Sequence, residues 1–226
     1  MIARFLPAGE SSLTVEFGDT IDPVINARVV SLSKNLSKKP IRGVRECAGS
    51  YRSLLVMYDP LLIRQRKLIR RLRKRIRNLP ELTTSSTRTI TIPVCYGGEY
   101  GPDLPDVAAH TGLSEIEVIR RHTEPEYRVY MIGFLPGFPY LGGLDPILET
   151  PRLATPRTEI PPGAVGIGGK QTGIYPLVSP GGWRLIGRTP LRPYDPNWEP
   201  PVLFAPGDVL RFESISPEEY KVRHGI

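Results

Sequence analysis

Cysteine, histidine and long apolar runs are all scarce in this chain, and each scarcity excludes something. Cys47 and Cys95 are the only cysteines, far apart and outside any CxxC spacing. They read as small buried hydrophobes in a reducing compartment, not as a metal site or a nucleophile. His110, His122 and His224 lack ligand spacing and HExxH is absent, so no metal centre is expected. No apolar run approaches the ~20 residues that span a bilayer. The N-terminal stretch MIARFLPAGESSLTVEFG carries no signal-peptide apolar core. The expectation is a cytoplasmic protein with no membrane partner.

Standard catalytic signatures are missing too. Residues 164–171, AVGIGGKQ, fail the Walker A pattern twice, with Ala164 at the first glycine and Gln171 after Lys170. GxGxxG fails because Gln171 stands where a third glycine is needed after Gly166 and Gly168. GxSxG does not occur, which removes an esterase elbow.

Charge, proline and glycine are plentiful. Nine Lys and Arg residues fall between Arg64 and Arg77, and subtracting them from the formal +7 leaves −2. The basicity therefore belongs to one helix. Leu61, Leu62, Leu68, Ile69, Leu72, Ile76 and Leu79 share an arc of roughly 120° on it. The basic residues take the remainder, with no acidic partners at helical spacing. This is a solvated face, or else a face for an acidic partner. Nucleic acid is the weaker reading, because no aromatic or amide side chains interleave for base readout. The 25 prolines and 22 glycines concentrate after Pro93. That composition excludes long helices there and favours short strands with tight corners.

The order of elements predicts an α+β protein. Strands at 2–6 and 13–17 precede a helix opened by Asp22 as N-cap and Pro23 at its first position. Its buried stripe is Ile25, Val29, Leu32 and Leu36. Strands at 44–48 and 53–58 follow, then the basic helix, opened by Asp59-Pro60. This reads as a ferredoxin-like sandwich over residues 1–84, closed by a polar linker at 81–87. A β-rich domain over 85–226, a small barrel or a sandwich, comes next. In it, 106–122 forms two short helices around Thr111-Gly112, the second with a Ser114/Glu117 capping box. That pair only superficially resembles a DNA-binding motif, since Glu115 and Glu117 sit where phosphates would. Strands follow at 88–94, 127–134, 202–204 and 209–214.

Two Gly/Pro segments look like walls of one site: 133–145, GFLPGFPYLGGLD, and 151–190. Between them they gather His122, Arg157, Lys170, Gln171, Tyr175, Ser179 and Arg188. His122 can move a proton as a neutral imidazole; it can equally cap a helix C-terminus. Arg157 can hold a carboxylate or phosphate by its fork, or form an ordinary ion pair. Lys170-Gln171 can present a charge and an amide, or be a plain hairpin turn. Phe138 and Trp183 read as core aromatics before stacking platforms.

The motifs GFLPGFPYLGGLD, PRTEIPPGAVGIGGKQTGIYP and SPGGWRLIGRTP closely resemble the family of 5-oxoprolinase B subunits, along the whole chain. That family includes the kinase inhibitor KipI and the first allophanate-hydrolase-like subunit. The resemblance implies a cyclophilin-like β-barrel and a polypeptide inactive alone, working with C-type and A-type partners. Such assemblies open 5-oxo-L-proline to L-glutamate with ATP hydrolysis. It implies His122, Arg157 and Gln171 as catalytic residues. Substrate contacts are then expected from Lys170, Tyr175, Gly168, Gly169, Phe138 and Arg188, and from backbone amides of 163–173. ATP with Mg2+ would be a substrate held by the complex, with no tightly bound cofactor. The alternative is a KipI-like inhibitor with a histidine kinase as partner.

Overall fold

The computed structural model describes residues 3–79 and 88–225. The chain divides into two compact units, Met1–Ser86 and Thr87–Ile226. The linker expected at 81–87 lies outside the described residues. No described helix is long and apolar enough to cross a membrane.

The first unit is a four-stranded antiparallel sheet with two helices. Its strands β1 (Arg4–Pro7), β2 (Ser12–Glu16), β3 (Val44–Gly49) and β4 (Ser53–Tyr58) lie in the order β1-β2-β4-β3. Alternation sends Leu13, Val15, Leu54, Val56 and Tyr58 into the core. Helix α1 (Pro23–Lys38) starts as the sequence predicts. Asp22 accepts from Val24 N and Ile25 N at 2.8 and 3.0 Å, and Pro23 needs no amide partner. Its buried stripe includes Ile25, Val29, Leu32 and Leu36. A ferredoxin-like sandwich returns a strand to the sheet after its second helix. Here the place beside β2 is taken by β1, from the N-terminal side.

Helix α2 (Gln65–Arg77) starts later than Asp59-Pro60 suggests. Asp59 Oδ1 instead accepts from Leu61 N at 3.0 Å, a local turn that competes with helix. Leu61 and Leu62 are consequently exposed and drop out of the apolar stripe. Leu68 and Leu72 carry the burial, with Ile69, Ile76 and Leu79 packed beside them.

The second unit is built on a closed seven-stranded barrel. Its strands are β5 (Thr89–Tyr96), β6 (Tyr127–Ile132), β7 (Pro139–Gly142), β9 (Ala164–Gly168), β10 (Gln171–Ile174), β12 (Arg184–Arg188) and β13 (Val209–Ser214). They close in the order β10-β7-β6-β13-β5-β12-β9. β13 runs parallel to β5, and the other paired neighbours are antiparallel. Ile92, Val94, Val129, Leu141, Val165, Ile167, Ile174, Ile186 and Phe212 fill the core. Strands β8 (Arg157–Ile160) and β11 (Ser179–Gly181) form a separate two-stranded ribbon.

Helices α3 (Leu104–Thr111) and α4 (Glu115–Thr123) turn at Gly112, whose φ of 70° is the left-handed cap that glycine favours. Ser114 accepts from Glu117 N as expected, but the Glu117 carboxylate turns to Arg120 and Arg121. Only half of the predicted capping box is therefore made. The strand expected at 202–204 is reduced to one bridge, Tyr194 to Val202. The chain also has a final helix that the strand reading misses, α5 (Pro217–His224). A complete Ser216/Glu219 capping box opens it.

Candidate functional site

The glycine-rich segment 163–173 folds as a hairpin, not as an open loop. β9 and β10 pair from Gln171↔Gly168 to Ile174↔Val165. The Gly169-Lys170 tip has φ 64° at Gly169, the first central position, where a II′ turn takes glycine. Val165, Ile167 and Ile174 face the barrel core, so Gly166, Gly168 and Gly173 face outward. Trp183 lies over that outward stripe. A Cβ at Gly168 would come 2.5 Å from the indole, and one at Gly173 would meet Trp183 and Phe138 at 3.0 Å. The glycines thus make room for an indole instead of baring amides to a ligand. The amides of Gly163 and Gly169 are also spent, on Tyr175 O at 2.7 Å and Thr150 O at 2.8 Å.

His122 is fully buried near the end of α4. Its Nε2 lies 2.9 Å from Thr172 Oγ1 and its Nδ1 lies 2.7 Å from Tyr96 Oη. Thr172 Oγ1 donates to Gly166 O at 3.1 Å, so it accepts from Nε2–H. Nδ1 then accepts from the tyrosine hydroxyl, and every polar atom of the relay is satisfied. Phe212 packs against the ring with centroids 4.5 Å apart. Burial pushes the imidazole pKa down to about 3. The histidine is therefore neutral and walled in, neither a helix cap nor a proton carrier facing a ligand. Thr172 points inward to it, so the adjacent Gln171 points to the other face of β10. The structure does not bring His122 and Gln171 together.

Arg157 uses its fork inside the protein. Its two terminal nitrogens reach Asp103 Oδ2 and Oδ1 at 2.9 and 2.7 Å. Asp103 also accepts from Leu185 N at 2.6 Å, so the pair ties the β8–β11 ribbon to β12 and to the start of α3. Arg188 Nε donates to Pro162 O at 2.9 Å. Tyr175 and Phe138 are buried in an aromatic cluster, their rings 5.2 Å apart, with Trp183 5.4 Å from Phe138. Burial is the main cause raising the Tyr175 hydroxyl above its ordinary pKa. Phe138, Tyr175 and Gly168 are therefore core, not an open wall. Ser179 is buried as well.

Arg157, Gln171 and Arg188 are partly exposed, and Lys170 at the hairpin tip is the most exposed of the expected site residues. A cleft of about 230 Å³ is lined by Leu144, Asp145, Pro146, Glu149 and Lys170. Lys170 Nζ is 4.0 Å from Glu149 Oε2, and its side chain is 82% exposed. Asp145 is held below the usual carboxylate range by Ile147 N–H and by Arg121, which sits 2.7 Å away. The two Gly/Pro segments meet here, but only through Leu144-Asp145 and Lys170. The cleft offers one exposed cation and one less constrained carboxylate to a small zwitterionic or acidic ligand. Among the described residues, no three His, Cys, Asp or Glu side chains converge to hold a metal ion.

The other half of the 133–145 segment forms a second exposed feature. Residues 135–138, LPGF, make a type II turn, with Gly137 at φ 85° and Phe138 N donating to Leu135 O at 3.1 Å. Phe134 precedes it at φ 67°, with Leu135 N donating to Gly133 O at 2.8 Å. That is the rare, strained γ-turn geometry. Phe134 is the only non-glycine residue with positive φ among the described residues, and it is 60% exposed. Residue types alone single out Phe138 and pass over Phe134. The Pro136-Gly137 turn that sets Phe134 apart is the signal in the sequence that could have found it.

The chain has counterparts among known proteins. The family model described as "Carboxyltransferase domain, subdomain C and D" matches residues 3–204. The chain is 41% identical over 222 residues to the 5-oxoprolinase B subunit of Bacillus subtilis (strain 168), covering 94% of this chain and 92% of that one. It is 43% identical over 210 residues to the 5-oxoprolinase B subunit of Escherichia coli O157:H7, covering 93% and 95%. The crystal structure of TTHA0988 in space group P212121 superposes with a TM-score of 0.82 at 40% identity over 91% of this chain. The chain spans only 40% of that longer protein. The chain belongs to the carboxyltransferase domain family of subdomains C and D, and within it to the family of 5-oxoprolinase B subunits.

Proposed function

We propose that this chain is the B-type subunit of an ATP-dependent 5-oxoprolinase. It would open 5-oxo-L-proline to L-glutamate together with C-type and A-type subunits in the cytoplasm. The observation that carries this reading is the 41% and 43% identity to proteins named as 5-oxoprolinase B subunits, over more than nine-tenths of both chains. We read the barrel as cyclophilin-like on the same ground. A KipI-like inhibitor of a histidine kinase has no comparable support among these relatives.

The cleft at the hairpin tip supplies the substrate site in this reading. Lys170 would meet the substrate carboxylate, and Glu149 would accept from the lactam N–H. ATP is the second substrate: its terminal phosphoryl group passes to the lactam oxygen and activates the carbon toward water. One water adds to that carbon, the C–N bond breaks and the nitrogen takes a proton, which leaves an acyl phosphate; a second water hydrolyses it to the carboxylate. Phosphate and ADP leave. His122 and Arg157 serve as positioning residues, since both are occupied within the fold. The groups that hold ATP and carry the proton then belong to the partner chains. Phe134, strained and exposed, is the proposed contact for the C-type subunit.

The test is reconstitution. The chain alone should show no 5-oxoproline-dependent release of ADP, and the three-component mixture should release ADP and glutamate together. A fully assembled mixture that leaves 5-oxoproline untouched sinks the proposal.

A further inference from the structure

The first unit carries a pocket that the lactam chemistry does not use. It holds about 460 Å³ and is lined by Asn35, Lys39, Pro40, Ile41, Arg71, Lys74, Arg75 and Asn78. Arg71, Lys74, Arg75 and Asn78 are spaced i, i+3, i+4 and i+7, so they share one face of α2. The lining holds four cations, two amides and no carboxylate. Among the described residues of this unit, the ion pairs are Arg4–Glu16 and Arg45–Asp59, which leaves every cation of the pocket without an acidic partner. Residues 64–77 contain no acid at all.

Helix ends attract cations to their terminal carbonyls, and that explains one or two of these residues. Arg75 does this work: its Nη2 donates to Lys39 O at 3.0 Å and its Nη1 to Asn35 Oδ1 at 2.9 Å. The bond to Lys39 O covers a carbonyl at the end of α1 that would otherwise repel an anion. It also fixes the guanidinium as a rigid floor. Among the described residues, Lys39, Arg71 and Lys74 have no such employment. Three unpaired cations around a concavity of small-molecule size repel one another, a cost that a bound anion of high charge removes.

We propose that this pocket binds the oligophosphate chain of a small molecule. Arg71 would take phosphate oxygens by its planar fork, while Lys39 and Lys74 act as point charges, and Asn35 and Asn78 provide amides. An extended nucleic-acid track would instead use the rest of α2, including Arg66, Arg70 and Arg77, which do not line the pocket.

The test is calorimetric titration of the full chain with inorganic tripolyphosphate, with ATP in a second arm. Both should bind, and ATP alone would mean the nucleoside is also read, still at this pocket. The variant Lys39→Gln/Arg71→Gln/Lys74→Gln should weaken binding by about tenfold or more. The variant Arg66→Gln/Arg70→Gln/Arg77→Gln removes the same charge from outside the pocket and should weaken it less than about twofold. Matching melting curves establish that both variants fold. Absence of heat in both arms overturns the proposal. So do equal losses in the two variants, or tight binding confined to an oligonucleotide. None of these outcomes depends on lactam hydrolysis, so the site can fail while the enzymatic reading stands.

Discussion

The imidazole of His122 and the hydroxyl of Thr172 meet at 2.9 Å within the core, and that contact fixes which ring nitrogen carries the hydrogen. Its pKa falls from 6.5 to about 3 on folding, because burial disfavours the charged ring. Between those values the unfolded chain binds a proton that the folded chain refuses. Stability from this group is therefore complete above about pH 6.5 and is lost as pH falls toward 3, at up to ~1.4 kcal/mol per pH unit. Urea unfolding of wild type and His122→Asn between pH 4 and 7 should give curves that converge toward acid. Parallel curves would show that the ring is accessible and carries no such linkage.

Much of the fold was legible because its signals are local. Asp22-Pro23 states where α1 begins, and Thr111-Gly112-Leu113-Ser114 states where one short helix ends and the next starts. Where local signals compete, the reading slips. Asp59-Pro60 resembles a helix start, but the Asp59 carboxylate bonds a nearby amide and makes a turn. The site was less legible for a different reason. Glycine spacing is the same whether the missing side chains admit a ligand or Trp183, and only the tertiary partner decides. Likewise nothing in the sequence around His122 reveals that Tyr96 and Thr172, 26 residues before and 50 after it, consume both ring nitrogens.

The glycine stripe makes a sharp prediction about packing. Gly168→Ala places a methyl group 2.5 Å from Trp183 Nε1 and Cε2. Overpacking of this kind costs about 1–3 kcal/mol, and the melting temperature should fall accordingly. Trp183→Phe in the same chain should recover part of the loss, because the two changes share one volume. A coupling of at least ~0.5 kcal/mol in the double-mutant cycle is expected. Strict additivity would mean that the indole does not rest on this glycine.

Arg157 should behave as a strut. Arg157→Ala leaves Asp103 buried, with its remaining bond to Leu185 N. With the arginine side chain 31% exposed, solvent screening reduces the cost below that of a fully buried pair, to about 1–3 kcal/mol. Chemical denaturation measures this directly. In the reconstituted complex, KM for 5-oxoproline should stay within about twofold of wild type. A large rise in KM without any stability loss would return Arg157 to the substrate site.

Phe134 separates conformation from contact. Phe134→Gly removes roughly 1–2 kcal/mol of left-handed strain and adds about 0.5–1 kcal/mol of unfolded-chain entropy, so the isolated chain should gain about 0.5–1 kcal/mol. The same change removes an exposed aromatic, and affinity for the C-type subunit should drop about tenfold if Phe134 anchors that interface. Phe134→Ala should share the affinity loss without the gain in stability. Unchanged association in a pull-down titration with both variants would assign Phe134 no part in assembly.

Lys170 is the residue on which the proposed substrate cleft rests. Its side chain is 82% exposed and its contact with Glu149 is long at 4.0 Å, so Lys170→Met should shift stability by less than about 0.5 kcal/mol. If Lys170 holds the substrate carboxylate as proposed, removing the cation takes away a charge-assisted bond, a loss of about 1.5–3 kcal/mol in binding. KM for 5-oxoproline should therefore rise at least about tenfold, with kcat changed far less, since a carboxylate contact remote from the lactam carbon is made equally in ground and transition states. Lys170→Arg keeps the charge at the tip of the Gly169-Lys170 turn and should restore most of the affinity. If Met and Arg behave alike, the charge at the hairpin tip is not what holds the substrate, and the cleft beside Asp145 and Glu149 loses its claim.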